Sequence, residues 1–329
     1  MQQPESHAFV AVARNFLRVL LALFATSLVP APAGAADTTP ILHAPVRVSE
    51  HVYAWLGPHG GPSPENRGFR MNLAFVVGKD AVAVIETGYS EAMVEEMLGH
   101  IARITSKPVK YAINSNSQPD RFLGNEAFRR RGAIILATPA EAKRMADMGG
   151  MFVQATEGAL KLAPGTLRAP AAPDRLVDKV TELGLGGVTL RLHPVSAAHT
   201  PGPLVVHIVE DNVVYGGDVL YNGRLPGVID GGNVKSWIAV FDGLRRFGDV
   251  TFVPGHGRPG KLASFEFPTR EYLSMLHAHM TKMATAGVDM TYAIARLDQS
   301  RFSTLANYED LAKRNANVAY REAEADSFK

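Results

Sequence analysis

The stretch "VKYAINSNSQPDRFLGNEAFRRRG", residues 109–132, combines an apolar strand pattern, a polar loop and a helix-like segment. Its first residues, "VKYAI", predict a strand. The earlier run "AVAVIETG", residues 81–88, is continuously apolar and closed by glycine, as expected for a buried strand. Between the two runs, Ser90 is predicted to cap a helix with apolar residues at helical spacing. This alternation of strands and helices indicates helices packed on a mixed or parallel sheet.

A second series of strands follows a Pro- and Ala-rich connection at residues 163–175. The strand patterns are "KVTELGLGGVTLRLHPV", "LVVHIVE", "NVVYGGDVL" and "VTFVPGH", with a helix at residues 234–248 before the last. From Pro268 onward the pattern is helical. Two such halves predict an α/β fold, a four-layer αββα sandwich. We expect this domain at residues 36–267, with a C-terminal helical extension, residues 268–329, packed on it.

The first 35 residues have the pattern of a secretory signal peptide. Arg14 and Arg18 precede an apolar run, and small residues follow at Ala33 and Ala35. This order predicts cleavage near Ala35 and export to the periplasm or the medium. An uncleaved anchor is the alternative, but the run is short for a membrane span, which needs about 20 residues. We expect no stable membrane span once the signal is removed.

The composition narrows the classes of partner and of chemistry. The chain has 329 residues, with 34 basic against 32 acidic side chains and a net charge of +2. This balance gives no electrostatic case for nucleic acid, so we expect a small-molecule substrate, with a periplasmic protein as a further partner. The chain has no cysteine. A metal ion must therefore be held by His, Asp, Glu or neutral oxygen donors.

Four side chains able to bind a metal stand where predicted strands stop. They are Asp120 in "NSNSQPDRFLGN", His199 in "SAAHTPGPL", Asp218 in "VVYGGD" and His256 in "TFVPGH". Strand ends on a rigid sheet can hold distant residues around one point. Asp120 and Arg121 could instead form an ion pair that closes a turn, and His199 and His256 could be hydrogen-bonded histidines in Pro/Gly turns, but the order of the motifs favours a common site.

These motifs together resemble the metallo-β-lactamase fold superfamily of hydrolases. The resemblance covers nearly the whole chain after the signal and rests on "NLAFVVG", "AVAVIETG", the loop at residues 114–125, "HTPG", "GGD" and "PGHG". Within the superfamily, "PENRGFRMNLAFVVG" and "NANVAYREAEADSF" are similar to periplasmic zinc metallohydrolases of quinoprotein relay systems. The resemblance implies the αββα fold and two adjoining metal positions.

The superfamily loop HxHxDH aligns with Asn116, Gln118, Asp120 and Arg121, so three of its four ligand positions have changed. Amide oxygens are poor zinc ligands, which predicts that the first metal position is lost. The resemblance implies that one divalent ion, zinc, is held at the second position. The implied metal ligands are Asp120, Asp218, His256 and, as a fourth ligand or a general acid/base, His199.

Two functions fit this pattern. The preferred one is hydrolysis of an ester, lactone, thioester or amide by metal-activated water, with Asp120, His199 and Arg121 as catalytic residues. Loss of the loop histidines is also what decay of a metal site produces. The alternative is therefore a catalytically silent ligand-binding or accessory protein, serving a quinoprotein dehydrogenase system. In either case we expect Asn116, Gln118 and His59 to contact the ligand, although His59 is equally compatible with an exposed loop.

Overall fold

The computed structural model describes residues 39–328, so the predicted signal peptide lies outside the described part. The described residues from Pro40 onward form one compact unit. Within the described residues, no helix has the length and the apolar character that a membrane crossing requires.

The first sheet has seven strands in the order β1 to β7. Its first four strands pair antiparallel, and β4, β5, β6 and β7 pair parallel. The strands are β1 (Val46–Arg47), β2 (Val52–Trp55), β3 (Leu73–Val77), β4 (Val82–Ile85), β5 (Val109–Ile113), β6 (Ile134–Ala137) and β7 (Arg175–Leu176).

The second sheet has five strands in the order β12, β11, β10, β9, β8. Only β11 and β12 pair parallel, which places the ends of both strands at the same edge. The strands are β8 (Thr181–Gly184), β9 (Thr189–Pro194), β10 (Leu204–Ile208), β11 (Val213–Tyr221) and β12 (Thr251–His256).

The described helices lie between and after the strands. They are α1 (Glu91–Ile104), α2 (Pro119–Phe122), α3 (Asn125–Arg129), α4 (Pro139–Ala159), α5 (Val234–Gly243), α6 (Tyr272–Thr285), α7 (Met290–Ala295) and α8 (Tyr308–Ser327). Shorter 3-10 and π turns occupy Leu244–Phe247, Leu262–Phe265, Glu266–Glu271 and Ser300–Phe302. As predicted, Ser90 caps α1, because its side chain accepts a hydrogen bond from the Met93 amide.

Three layers of apolar side chains hold these elements together. The middle layer lies between the two sheets and contains Ile85, Ile113, Leu204 and Val206. One outer layer packs α1 and the segment after β5 against the first sheet through Met93, Met97 and Phe122. The other packs α5, α6 and α8 on the second sheet through Trp237, Leu276 and Ala316. This confirms the predicted αββα sandwich with C-terminal helices.

One predicted strand is split in two. The sequence at residues 46–57 predicts a single strand, whereas the structure has a tight antiparallel hairpin between β1 and β2. The reason is Asp211, whose carboxylate accepts hydrogen bonds from the Ser49 hydroxyl and, at 2.8 Å, from the His51 amide. These two bonds fix the polar turn at residues 48–51.

Candidate functional site

The polar strand-end residues do converge, at the edge where β5, β11 and β12 end. Asp120 and Arg121 lie in α2, seven and eight residues after the end of β5, and Asp218 lies within β11. His256 is the last residue of β12, and its Nε2 atom lies 3.5 Å from Oδ1 of Asp218. All four side chains are buried. The predicted meeting point is therefore present in the fold.

A guanidinium group stands at this meeting point. Arg121 donates two hydrogen bonds to the Asp218 carboxylate, from Nε at 3.0 Å and from Nη2 at 2.7 Å. It also donates to the backbone carbonyls of Asn72, at 3.0 Å, and Gly255, at 3.2 Å. Its side chain has no exposed surface. This paired geometry is the strongest form of arginine–carboxylate bond in proteins.

The imidazole of His256 faces the same guanidinium. Its Nδ1 atom lies 3.0 Å from the Arg70 carbonyl oxygen, which assigns the ring hydrogen to Nδ1. In that tautomer Nε2 is an acceptor, and Arg121 Nη2 lies 3.3 Å from it. The lone pair that would bind a metal ion is thus directed at Arg121.

Two glycines allow these groups to approach so closely. A Cβ atom on Gly255 would lie 2.2 Å from Oδ1 of Asp218. Gly217 has a φ of +52°, in the left-handed region, and a Cβ atom there would lie 2.6 Å from the Ser115 hydroxyl. The "GGD" and "PGHG" motifs therefore serve the packing of the site as well as its chemistry.

Asp120 lies between two arginines. Its carboxylate is 3.7 Å from Nη1 of Arg70 and 3.7 Å from Nε of Arg121. A third guanidinium, that of Arg224, lies on the other side of His256, with Nη1 3.2 Å from Nδ1. The site thus contains three arginines around two aspartates.

The remaining titratable groups add no negative charge at neutral pH. Burial raises the pKa of Glu86 to about 8, against the opposing effect of Arg121. Burial, followed by the charges of Arg224, Arg121 and Arg70, lowers the pKa of His256 well below its usual value. Burial also lowers the pKa of His199. Both imidazoles then carry no charge at neutral pH, and a proton is favoured on Glu86.

Asp218 differs from Glu86 because its carboxylate stays ionised. Burial alone would raise its pKa, but the charge of Arg121, together with His199 and a hydrogen bond from Asn116, lowers it overall. Asn116 donates from Nδ2 to Oδ2 of Asp218 at 2.8 Å. Both carboxylate oxygens are therefore committed to protein donors.

The divalent ion that the resemblance implies does not fit this donor set. The 3.5 Å between Asp218 Oδ1 and His256 Nε2 is close to the spacing of about 3.4 Å that two ligands of one tetrahedral zinc show. Both atoms, however, already bond to the Arg121 guanidinium. Among residues 39–328 no group of three or more His, Asp or Glu side chains is placed to hold a metal. The predicted ligands thus do not form a metal-binding group.

The predicted ligand contacts differ in how much surface they present. Asn116 has no exposed surface and donates to Asp218, as does the predicted catalytic residue Arg121, so both side chains are engaged within the protein. Gln118 and His59 are half-buried, which is compatible with ligand contact. The Nδ1 atom of His59 is buried and lacks a hydrogen-bond partner within the described chain.

His199 is fixed by the loop that follows β11. Its Nδ1 atom donates to the Gly227 carbonyl oxygen at 2.7 Å, which leaves Nε2 as an acceptor. The rings of Tyr221 and Trp237 pack edge-on against the imidazole. His199 is therefore a neutral, oriented imidazole beside the arginine–aspartate cluster.

Glu141 joins the two loops of the site, a role that the sequence did not reveal. It lies in the first turn of α4 and is fully buried. One oxygen accepts from the Ser117 amide at 2.9 Å, and the other from the Thr200 hydroxyl at 2.5 Å and the Gly202 amide at 2.8 Å. The pattern "TPAE" reads as an ordinary capping box, in which this glutamate would point back along its own helix.

The sequence patterns also assign no role in the site to Arg70, Arg224 or Glu86. Arg70 and Arg224 lie in loops, at "GFRMN" and "NGRLP", where spacing gives no reason to assign a role. Glu86 adopts a φ of +69°, which is rare for a residue other than glycine. The signal that was available is the imbalance between arginines and carboxylates in the loops that follow the strands.

Comparison with known proteins identifies the family. The model of the metallo-β-lactamase superfamily matches residues 67–256, more than half of the chain. A solved structure of a metallo-β-lactamase from Pontibacter korlensis is similar in fold, with a TM-score of 0.57 and 20% sequence identity. The match covers 71% of this chain and 99% of that chain. The chain belongs to the metallo-β-lactamase superfamily.

Proposed function

We propose that this protein is an exported, metal-independent member of its superfamily that binds a small molecule without hydrolysing it by metal-activated water. The observation that carries the proposal is the buried pair of Arg121 and Asp218, with nitrogen–oxygen distances of 2.7 and 3.0 Å. In this proposal the Arg121 guanidinium balances the charge of Asp218, as a metal ion does in metal-binding members of the superfamily.

Electrostatics supports this reading. Two unit charges 4 Å apart interact by about 4 kcal/mol at an effective dielectric constant of 20, and a divalent ion doubles that repulsion toward a guanidinium. A metal ion at Asp218 would meet Arg121, with Arg70 and Arg224 also close to His256. Binding it would require Arg121 to leave a site in which it makes four hydrogen bonds to oxygen.

Membership of the superfamily favours a second candidate, a metal-dependent hydrolase. In that case Asp120, Asp218 and His256 hold one zinc ion, with His199 as a fourth ligand or a general acid/base. The substrate would be an ester, lactone, thioester or amide. This candidate requires a rearrangement in which Arg121 releases Asp218.

Export and the partner are part of the proposal. The N-terminal signal pattern supports a location in the periplasm or the medium. The similarity to proteins of quinoprotein relay systems supports an accessory role beside a quinoprotein dehydrogenase. Co-purification of the tagged, exported protein with such a dehydrogenase tests that role.

Metal analysis of the purified mature protein tests the main proposal. The protein is prepared with and without zinc supplementation, beside an Asp120→Ala, His256→Ala double variant, and assayed on lactone, thioester and β-lactam substrates. We expect equal, substoichiometric zinc in both proteins and no turnover that chelation abolishes. One equivalent of zinc in the parent, absent from the variant, would establish the second candidate instead.

A further inference from the structure

A cavity of about 790 Å³ opens beside the loops that follow β2, β11 and β12. Its lining comes from residues 56–59, 222–223 and 257–259, together with Val46 of the edge strand β1. The arginine–aspartate cluster contributes no side chain to this lining, although Gly257 directly follows His256 in the chain. The volume lies within the range of small-molecule sites, so the cavity is large enough for a small organic ligand.

The walls of this cavity are mainly apolar. The side chains that supply them are Val46, Leu56, Pro58 and Pro259. Val46 is 42% exposed, which is unusual for a large apolar side chain in this protein and leaves apolar surface open toward the cavity. Covering such a surface removes it from water, so the walls favour a ligand with an apolar body.

Arg258 gives the cavity its charge, because no other lining side chain is charged at neutral pH. Burial, followed by the charge of Arg224, lowers the pKa of His59, so that imidazole is neutral. Arg258 is exposed, and within residues 39–328 no carboxylate lies within 4.0 Å of its guanidinium. Other exposed arginines, such as Arg245 and Arg301, do pair with a carboxylate. The Arg258 guanidinium is therefore available to an anion from outside the chain.

The turn that carries Arg258 is held in place by hydrogen bonds. The Gly260 amide and carbonyl pair with Phe252 of β12, at 3.0 and 2.8 Å. Nδ2 of Asn222 donates to the Arg258 carbonyl oxygen at 3.1 Å. Gly257 has a φ of +92°, and a Cβ atom there would lie 2.0 Å from the Asn222 carbonyl oxygen, so the turn requires glycine. The backbone at Arg258 is thus fixed before a ligand arrives.

The buried side chain of Asn72 ties this turn to a second segment of the lining. Its Oδ1 atom accepts a hydrogen bond from the Gly57 amide at 3.2 Å. Its Nδ2 atom donates to the carbonyl oxygens of Pro254, at 2.8 Å, and Gly257, at 2.7 Å. Gly57 and Gly257 both line the cavity, so its walls are held at a set separation. Such a preformed site does not have to be ordered by its ligand.

We propose that this cavity binds a small organic anion, whose carboxylate or phosphate group contacts Arg258 and whose apolar body lies against Val46 and Pro259. The guanidinium offers planar, charge-assisted donors that fit either anionic group. This inference names a ligand class for the proposed binding function and rests on that function, because it leaves Arg121 bound to Asp218.

Calorimetric titration of the mature protein, dialysed against a chelator, tests the cavity. The probes are benzoate and phenyl phosphate, with benzyl alcohol as the uncharged analogue and acetate as an anion without an apolar body of that size. We expect benzoate or phenyl phosphate to bind, and benzyl alcohol and acetate each to bind about tenfold more weakly. Because Arg258 is exposed, added salt should weaken binding of the anions but not of benzyl alcohol.

Variants assign the binding to this cavity. Arg258→Gln should weaken binding of the tighter organic anion about tenfold, because it removes the charge-assisted donors. Val46→Glu should abolish that binding, because it places a like charge in the apolar wall. Both positions are exposed, so both variants should fold. Arg103→Gln and Val180→Glu, at exposed positions outside the lining, are the matched controls and should leave binding unchanged.

Three results would overturn the inference. They are the absence of binding by both organic anions, equal binding of benzyl alcohol and benzoate, and equal binding by the parent, Arg258→Gln and Val46→Glu. A separate titration with zinc alone distinguishes this failure from failure of the proposed function. Stoichiometric zinc binding would refute metal independence, whereas absence of organic-anion binding without zinc binding would refute only the role of the cavity.

Discussion

A guanidinium and a divalent cation make different demands on the side chains around them. Zinc requires ligand atoms at about 2.0–2.2 Å with free lone pairs, whereas a guanidinium requires acceptors near 2.8 Å in its plane. Asp218 meets the second demand, with oxygens at 2.7 and 3.0 Å from Arg121 nitrogens. At the scale of single residues, the site is thus built as an internal ion pair.

The first prediction concerns this ion pair. Arg121→Ala leaves the Asp218 carboxylate buried and uncompensated, so we expect the free energy of unfolding to fall by about 3–5 kcal/mol. A double variant, Arg121→Met with Asp218→Asn, leaves no charge and should recover part of that loss. Urea denaturation of the three proteins measures both values.

The matched control is the partly exposed pair of Arg129 and Asp174, whose nitrogen–oxygen distance is also 2.7 Å. Arg129→Ala should cost about 0–1 kcal/mol, because water screens exposed pairs. Equal losses for Arg121→Ala and Arg129→Ala would contradict the structural role of Arg121.

The second prediction concerns two histidines on neighbouring strands. The Nε2 atoms of His193 and His207 are buried without partners among the described residues. Burial, with the charges of Arg246, His207 and Arg191, lowers the pKa of His193 from 6.5 to about 4. The unfolded chain therefore binds a proton near pH 6.5 that the folded chain accepts only near pH 4. Stability falls as pH decreases across that interval.

His193→Gln removes this proton uptake, so the variant should lose less stability than the parent between pH 6.5 and 4. Arg246→Gln removes a repelling charge and should shift the loss in the same direction. Thermal denaturation at a series of pH values measures the difference. Identical acid profiles for the parent and both variants would show that His193 does not contribute.

At the scale of elements, the C-terminal helix α8 holds the loop that orients the site. Asn315 accepts from the Val228 amide at 2.8 Å and donates to the Pro226 carbonyl at 2.7 Å. The residue between them, Gly227, provides the carbonyl that fixes His199. Glu322 on the same helix accepts from the Val234 amide, at the start of α5, at 2.8 Å. The C-terminal helices therefore support the site as well as the core.

The third prediction tests this support. Asn315→Ala leaves a buried amide and a buried carbonyl unpaired, and we expect a loss of about 1–3 kcal/mol for each group left unsatisfied. Because the Gly227 carbonyl loses its support, the His199 Nδ1 hydrogen should become less ordered. Nitrogen NMR of the histidine rings reports its tautomer. Lys313→Ala, exposed on the same helix, is the control and should leave both readouts unchanged.

At the scale of the whole molecule, the sequence predicted the sandwich and the strand-end edge for a physical reason. Buried strands must be apolar, and glycine and polar residues mark where they end, so "AVAVIETG" and "TFVPGH" carry that information locally. The spacing of Asp120, Asp218 and His256 likewise followed from the strands that carry them.

The side-chain contacts inside the site could not be predicted in the same way. The predicted strands fix where the backbone of Arg121 lies. Its long side chain, however, can place the guanidinium several ångströms to either side of that position. Only the packing of β11 against β12, with glycines at 217 and 255, brings Asp218 within reach of it. The guanidinium groups of Arg70 and Arg224 reach the cluster from loops whose course depends on the whole fold.

The most direct test of the central claim is a crystal structure of the mature protein grown with excess zinc, with anomalous diffraction recorded at the zinc edge. We predict no anomalous peak among Asp120, Asp218 and His256, and an Arg121 guanidinium still bonded to both oxygens of Asp218. A zinc peak bound by these three residues, with Arg121 turned away, would contradict the account.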